Sequence, residues 1–193
     1  MIGKKIDIKA YQKIGSDRKK KGFSDEETLL THFDTISKSA KKIASNYFKE
    51  NIHDLNGFKG MMIEEAIQEY LFEIKAEVPF PGPNKGKEDF TFIDLFAGIG
   101  GFRIALQNLK GKCVFSSEWD EAARETYRKN YGEIPFGDIT KESVKSFIPK
   151  EFDILCGGFP CQPFSRAGVS ARNFLGLEHG FDHPTQGNLF FEI

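Results

Sequence analysis

Apolar residues recur at helical spacing over two stretches of the first eighty positions, and the texture then switches to alternating strand and helix. Leu29, Leu30, Phe33, Ile36, Ala40, Ile43 and Ala44 fall on one face of a helix. Ser24 followed by Asp25, Glu26 and Glu27 gives that helix a capping box with acids in its first turn, where the helix dipole favours them. After a break at Asn56-Gly57, Met62, Ile63, Ala66, Ile67, Tyr70, Leu71 and Ile74 form a second stripe. Each helix must bury its apolar face against something. Residues 23–78 are therefore expected to form a helical extension. The stretch PFPGPNKGKED, residues 79–89, holds three prolines and two glycines among charges and reads as a linker.

Beyond it, FTFIDLF, KCVFSSE, IPFGDIT and EFDILCGG read as four strands, the third short. FRIALQNLK, DEAARETYRKN and KESVKSFI between them read as helices. Strands joined by helices of this length imply right-handed crossovers and a parallel, doubly wound sheet. Ligands of such sheets sit at the carboxyl ends of the strands.

Charge divides the chain differently from hydropathy. Residues 1–22 carry eight Lys/Arg against Asp7 and Asp17, a net of +6, so with an overall −1 the rest sums to −7. This basic N-terminal arm is either a solvated terminus or a phosphate-contacting tail. The helical extension is correspondingly either an accessory hairpin packed on the main domain or a module that touches nucleic acid. No apolar run approaches the roughly 18–20 residues that span a bilayer, and MIGKKIDIKAYQK lacks a secretion signal. A cytoplasmic protein with no membrane partner is expected. Three cysteines, Cys113, Cys156 and Cys161, suit a reducing compartment better than a disulfide framework.

The unusual residues cluster at the predicted strand ends. Phe96-Ala97-Gly98-Ile99-Gly100-Gly101 follows the first strand, where glycine permits close ligand approach or simply a tight turn. Its G-x-G-G spacing departs from the dinucleotide fingerprint. Glu118-Trp119-Asp120 ends the second strand. A carboxylate about 20 residues past a glycine turn is placed to accept ribose hydroxyls, and the indole of Trp119 offers a face to an adenine. Asp120 reads as the cap of the next helix. Asp138, in Gly137-Asp138-Ile139, is either an adenine contact or a turn residue. Gly157-Gly158-Phe159-Pro160-Cys161-Gln162-Pro163-Phe164-Ser165 follows the fourth strand, with prolines stiffening both sides of an exposed thiol.

DLFAGIGGFR, SSEWD, GDIT and GGFPCQPFS stand in the order and spacing of the opening motifs of DNA cytosine-5 methyltransferases, and QGNLFFEI resembles the start of the next. The resemblance covers residues 90–193; residues 1–85 carry no family pattern. It implies an α/β fold of the S-adenosylmethionine-dependent, Rossmann-like methyltransferase class, a doubly wound parallel sheet that is incomplete here. It further implies S-adenosyl-L-methionine as cofactor and double-stranded DNA as partner, with a tRNA substrate as the close variant. By carry-over, Cys161 is the nucleophile. Phe96, Ala97, Gly98, Ile99, Gly100, Gly101, Glu118, Trp119, Asp138, Ile139, Pro160 and Leu189 line the cofactor site. Gln162 and Ser165 begin a loop that closes on DNA, with Arg166 and Arg172 as phosphate contacts and Gly168, Gly176 and Gly180 as its hinges.

The chemistry explains the thiol. Carbon 5 of cytosine is a feeble nucleophile until a thiolate adds to carbon 6 and turns the ring into an enamine. Stacking blocks that carbon inside a duplex, so the target base must be flipped out.

Cys156-x4-Cys161 and His179-x3-His183 superficially resemble zinc-ligand spacing, but the flanking prolines and the lack of a ββα pattern in the 17 residues between argue against a metal. Cys113 and Cys156 read as buried core thiols. Gln186 stands where many relatives have Arg. The family's later motifs are absent, which implies a fragment or one piece of a split enzyme with a complementary C-terminal chain as partner. Two function classes follow: a DNA methyltransferase of restriction-modification or orphan type, and a catalytically silent remnant or binding subunit. The fourth strand, central in such sheets, is expected to become an open edge, leaving the chain alone inactive and marginally folded.

Overall fold

The computed structural model describes residues 22–52, 58, 60–83, 86–161, 164–178, 180–182 and 188–193. The basic arm up to Lys21 and the Asn56-Gly57 break lie outside these residues.

Helix α1 spans Asp25–Thr31, α2 Lys38–Asn51 and α3 Ile63–Ala76. The capping box at α1 is present: Ser24 Oγ accepts from the Glu27 amide at 3.3 Å, and the Ser24 amide donates to Glu27 Oε2 at 3.0 Å. The first apolar stripe, read as one helix, is two. The chain turns after His32, where Thr35 Oγ1 donates to the His32 carbonyl and Ser37 Oγ accepts from Ala40 N to open α2. Short hydroxyl side chains here take over backbone partners that a continuous helix would supply. Ile43 is 47% exposed, whereas the other six residues of that stripe are buried. In α3, Ala66, Ile67, Tyr70, Leu71 and Ile74 are buried, while Met62, just before the helix, is exposed.

Strand β1 spans Phe90–Asp94, helix α4 Gly101–Asn108, β2 Gly111–Ser116, α5 Glu121–Tyr131, α6 Glu142–Lys145, β3 Ile154–Cys156 and α7 Arg166–Phe174. The sheet is parallel in the order β2-β1-β3. A register shift between Phe92 and Ile93 pairs Phe92 with Cys113 but Ile93 with Phe115. Side chains alternate across the sheet. Phe92, Cys113 and Cys156 pack with Leu106 of α4 on one face. Ile93 and Phe115 belong to a continuous core shared with Leu29, Phe33, Phe48 and Ile67 of the N-terminal helices. Phe48, Phe92, Phe115 and Ile67 are wholly buried, each contributing roughly 2 kcal/mol by removal from water.

The third expected strand is reduced to one bridge, Ser117 with Phe136. Pro135 cannot donate to a ladder and Gly137 follows at once, so the pairing cannot lengthen. The strand ending in Cys156, expected to be left as an open edge, pairs only with β1 among the described residues. Ile154 and Leu155 are 38% and 39% exposed.

Candidate active site

Backbone hydrogen bonds draw three strand ends together. The Leu95 amide donates to the Cys156 carbonyl, Ser117 N to Asp94 O, Ala97 N to Ser117 O, and Glu118 N to Phe136 O, at 2.8–3.0 Å. Ser117 Oγ donates to Leu95 O at 2.6 Å. The loops carrying Gly98, Glu118 and Asp138 are thus one connected unit.

Gly98 has φ +52° and open space where a Cβ would stand. Gly100, at φ +96°, lies under the Tyr131 ring, and Tyr131 Oη donates to the Gly100 carbonyl at 2.7 Å. Any Cβ at Gly100 would overlap that ring. The two glycines therefore do different work: Gly98 leaves open space at the turn, and Gly100 lets the Tyr131 ring pack against the backbone. Ala97 is buried against Tyr127 and Tyr131, Phe96 is half-buried, and Ile99 is 61% exposed.

Glu118 Oε2 accepts from the Gly98 amide at 2.8 Å and Oε1 from the Asp120 amide at 2.9 Å. Trp119 is 59% exposed beside it. Asp120 caps α5, accepting from Ala123 N at 2.8 Å. Asp138 Oδ1 accepts from both the amide and the hydroxyl of Thr140, a local turn contact, and Ile139 is buried next to it.

Asp94 ends β1 with no exposure, in register with Ser116 and Cys156. Its Oδ1 accepts a long bond from Phe96 N at 3.4 Å, while Oδ2 is buried with no hydrogen-bond partner among the described residues. Burial pushes this carboxyl up to about 6, with the Phe96 amide opposing and the nearby Glu118 charge adding to the rise. The sequence carried the signal, an acid as the last residue of an apolar strand, but Asp94 was not among the expected site residues.

Cys161 is exposed, and its carbonyl accepts from Phe164 N and Ser165 N at 3.0 and 3.1 Å, so the chain turns directly after the thiol. Pro160 is half-buried. Gln162 lies outside the described residues, as do Gln186, His179 and His183. Ser165 opens α7 by accepting from Gly168 N at 3.0 Å. Arg166 is exposed in the first turn of α7, while Arg172 donates to the Glu178 carbonyl. Residues 166–174, expected as loop, are thus helical, and Gly168 lies inside that helix; Gly176 and Gly180 follow it with φ +64° and +62°. Leu189 sits half-buried in a 3-10 turn, Asn188–Glu192, that Lys145 anchors through Glu192 at 2.8 Å. Phe190 and Phe191 join Phe159, Phe164 and Phe181 in a cluster of ring contacts, though both remain largely exposed. Cys113 and Cys156 are buried, and burial pushes the Cys113 thiol up to about 11.

A cavity of about 890 Å³ lies elsewhere, between the N-terminal helices and α4, lined by Met61, Phe72, Lys75, Arg103 and Glu133 among others. None of the expected cofactor residues borders it.

The described residues thus form a parallel α/β sheet with a glycine turn at the end of β1, an acid at the end of β2 and an exposed thiol beyond β3. Residues 90–193 match the family model for C-5 cytosine-specific DNA methylases, and the chain belongs to that family. Its members use S-adenosylmethionine and adopt a Rossmann-like fold. The chain is 56% identical over 133 residues to the type II methyltransferase M.HpaII of Haemophilus parainfluenzae, covering 69% of this chain and 33% of the relative. It is 41% identical over 162 residues to M.MspI of a Moraxella species, covering 77% and 36%, and 51% identical over 102 residues to M.HhaI of Haemophilus parahaemolyticus, covering 53% and 28%. The chain thus spans about a third of the length of these relatives. Residues 90–193 are 54% of the chain, so matches over 69% and 77% reach into the helical extension, where the motifs alone showed no kinship. No described helix is long and apolar enough to cross a membrane.

Proposed function

We propose that this chain forms the cofactor-holding and nucleophile-bearing part of an enzyme that methylates carbon 5 of cytosine in double-stranded DNA through a covalent adduct at Cys161. The observation that carries the reading is the exposed thiol in the Phe159-Pro160-Cys161 loop, at the end of the strand that pairs with β1.

The residues present fit S-adenosylmethionine, which supplies an electrophilic methyl group. Open space above Gly98 admits a ligand, and the orphaned Asp94 Oδ2 suits a cationic group such as the cofactor's ammonium. Glu118 holds two backbone amides and still has lone pairs on both oxygens for ribose hydroxyls. Trp119 offers its exposed face to the adenine, with Asp138 and Ile139 at its edge. Phe96, Ala97, Ile99, Gly100, Gly101, Pro160 and Leu189 complete the lining. The Cys161 thiolate adds to carbon 6, making carbon 5 nucleophilic toward the methyl group, which it takes while the C–S electron pair stays on the cofactor's sulfur. Water then takes the carbon-5 proton, and the C–H electron pair re-forms the 5,6 double bond as Sγ leaves as the thiolate. Gln162, Ser165, Arg166 and Arg172 are assigned to the DNA side.

Among the described residues β3 pairs on one side only, with Ile154 and Leu155 exposed, which supports a second element of the reading. Turnover requires a further strand beside β3, supplied by additional chain or a complementary one. The test joins this sequence to the portion of M.HpaII that it does not cover and offers duplex DNA containing 5-fluorocytosine with S-adenosylmethionine. Mass spectrometry should find one adduct at Cys161 and none in Cys161→Ser. An adduct elsewhere, or turnover in the serine variant, rejects the assignment.

A further inference from the structure

Four consecutive residues between α5 and the Asp138 turn are each gripped from a different direction. Glu133 forms ion pairs with Arg103 of α4 and, at 2.7 Å, with Lys75 of α3. Ile134 N donates to Thr31 Oγ1 at 3.1 Å. The Pro135 carbonyl accepts from Arg124 Nε at 3.0 Å, and Arg124 Nη2 in turn donates to Thr28 Oγ1 at 3.2 Å. The Phe136 ring packs on His32 with centroids 4.7 Å apart and stacks on Phe115 and Phe147. Three of these four grips include a residue from the first helix and its cap, Thr28, Thr31 or His32, and the fourth includes Lys75.

The gripped segment leads straight into both acids of the strand-end cluster. Phe136 N donates to Ser116 O and Phe136 O accepts from Glu118 N, both at 2.8 Å, and Gly137-Asp138 follows. A backbone that moved at 134–136 would carry Glu118 and Asp138 with it.

We propose that the N-terminal helices position the adenosine end of the cofactor site, acting through Thr31 and His32 on residues 134–136. This rests on the cofactor reading above. The Thr31 hydroxyl donates to Thr28 O at 2.9 Å while accepting from Ile134 N, and it lies 3.2 Å from His32 Nδ1. His32 Nδ1 lies 3.0 Å from the Thr28 carbonyl, which assigns its proton to that nitrogen, and Nε2 is buried with no hydrogen-bond partner among the described residues. A second proton on His32 would therefore be buried unmatched. Burial lowers its proton affinity, Glu133 opposes that, and Lys75 and Arg103 reinforce it. Acid should accordingly loosen the grip on Phe136.

The experiment uses the full chain and its variants Thr31→Val, Thr31→Ser and His32→Phe. Calorimetry with S-adenosylmethionine gives the dissociation constant between pH 5.5 and 8, and amide exchange at Glu118 reports the strand-end unit without ligand. Thr31→Val should weaken binding about 3–10-fold, the scale of one buried hydrogen bond, and speed exchange at Glu118, and Thr31→Ser should restore both. Wild-type affinity should fall toward pH 5.5, and His32→Phe should lessen that fall. If Thr31→Val folds but leaves affinity and Glu118 exchange unchanged, or if serine rescues neither, the proposal is overturned. A wild-type chain that binds no cofactor would remove the cofactor reading, while faster Glu118 exchange in Thr31→Val would still uphold the positioning role.

Discussion

The Glu118 carboxylate accepts a hydrogen bond from the Gly98 amide at 2.8 Å, so the acid at the end of β2 closes the glycine turn at the end of β1 before any ligand is present. Twenty residues of sequence separate the two, and the parallel pairing of β1 with β2 brings them together. Glu118 is therefore a structural clasp as well as the proposed ligand for ribose. Its removal should disturb the turn and the cofactor contact together.

Gly100 gives the sharpest test of the turn's geometry. An alanine there would adopt a left-handed backbone and press its methyl into the Tyr131 ring. Strain of about 1–2 kcal/mol and overpacking of about 1–3 kcal/mol act in the same direction. Gly100→Ala should lower unfolding free energy by about 2–5 kcal/mol in a denaturant titration. Gly98→Ala should cost only the backbone strain, because no atom lies where its methyl would go. Equal losses for the two would refute the division of labour between these glycines.

Asp94 predicts an unusual pH dependence. Its folded carboxyl is raised to about 6, so its stabilising contribution is complete below the unfolded value near 3.8 and is lost as pH rises through 6. Above that pH the buried charge costs about 3 kcal/mol, from roughly two units at 1.36 kcal/mol each. Asp94→Asn should consequently be more stable than wild type by about 1–3 kcal/mol at pH 8. The gain should shrink toward zero near pH 4, yet the variant should bind S-adenosylmethionine more weakly. Chemical denaturation at the two pH values, with calorimetry at pH 8, checks both halves. A variant less stable at pH 8 than wild type contradicts the account.

Much of this arrangement was legible in the sequence because it is local. The capping box at Ser24, the cap at Asp120, the glycine turn and the exposed thiol all depend on residues within a few positions of one another. The break between α1 and α2 was missed because apolar spacing continues across it, and only Thr35 and Ser37 redirect the backbone. The strand at Phe136 was overread because its composition suits a strand while Pro135 and Gly137 deny it a ladder. Long-range polar contacts, such as Thr31 with Ile134 across 103 positions, leave no pattern in a single sequence. The Arg103–Glu133 pair was invisible for the same reason.

That pair carries its own prediction. Both groups are buried, and although burial alone would raise the Glu133 carboxyl, Arg103 and Lys75 outweigh it and hold it well below the usual carboxylate range. Glu133 therefore contributes stability above about pH 4.5 that is lost as pH falls below it. Glu133→Gln leaves Arg103 buried and without its counter-charge, and should destabilise the chain by about 3–5 kcal/mol at pH 7. Thermal unfolding at pH 7 measures this, and a loss under about 1 kcal/mol would show that the ion pair is dispensable.

The most direct test of the central claim is calorimetric titration of S-adenosylmethionine into the 193-residue chain and its Glu118→Gln and Glu118→Ala variants. The account predicts one site per chain in the wild type. The alanine variant should be weaker by about 1.5–3 kcal/mol, the scale of a hydrogen bond to a charged group. The glutamine variant should fall between the two, because its side-chain oxygen can still accept from one backbone amide. A folded wild-type chain that binds no cofactor, or an alanine variant with the wild-type dissociation constant, would contradict the assignment of this strand-end cluster as the cofactor site.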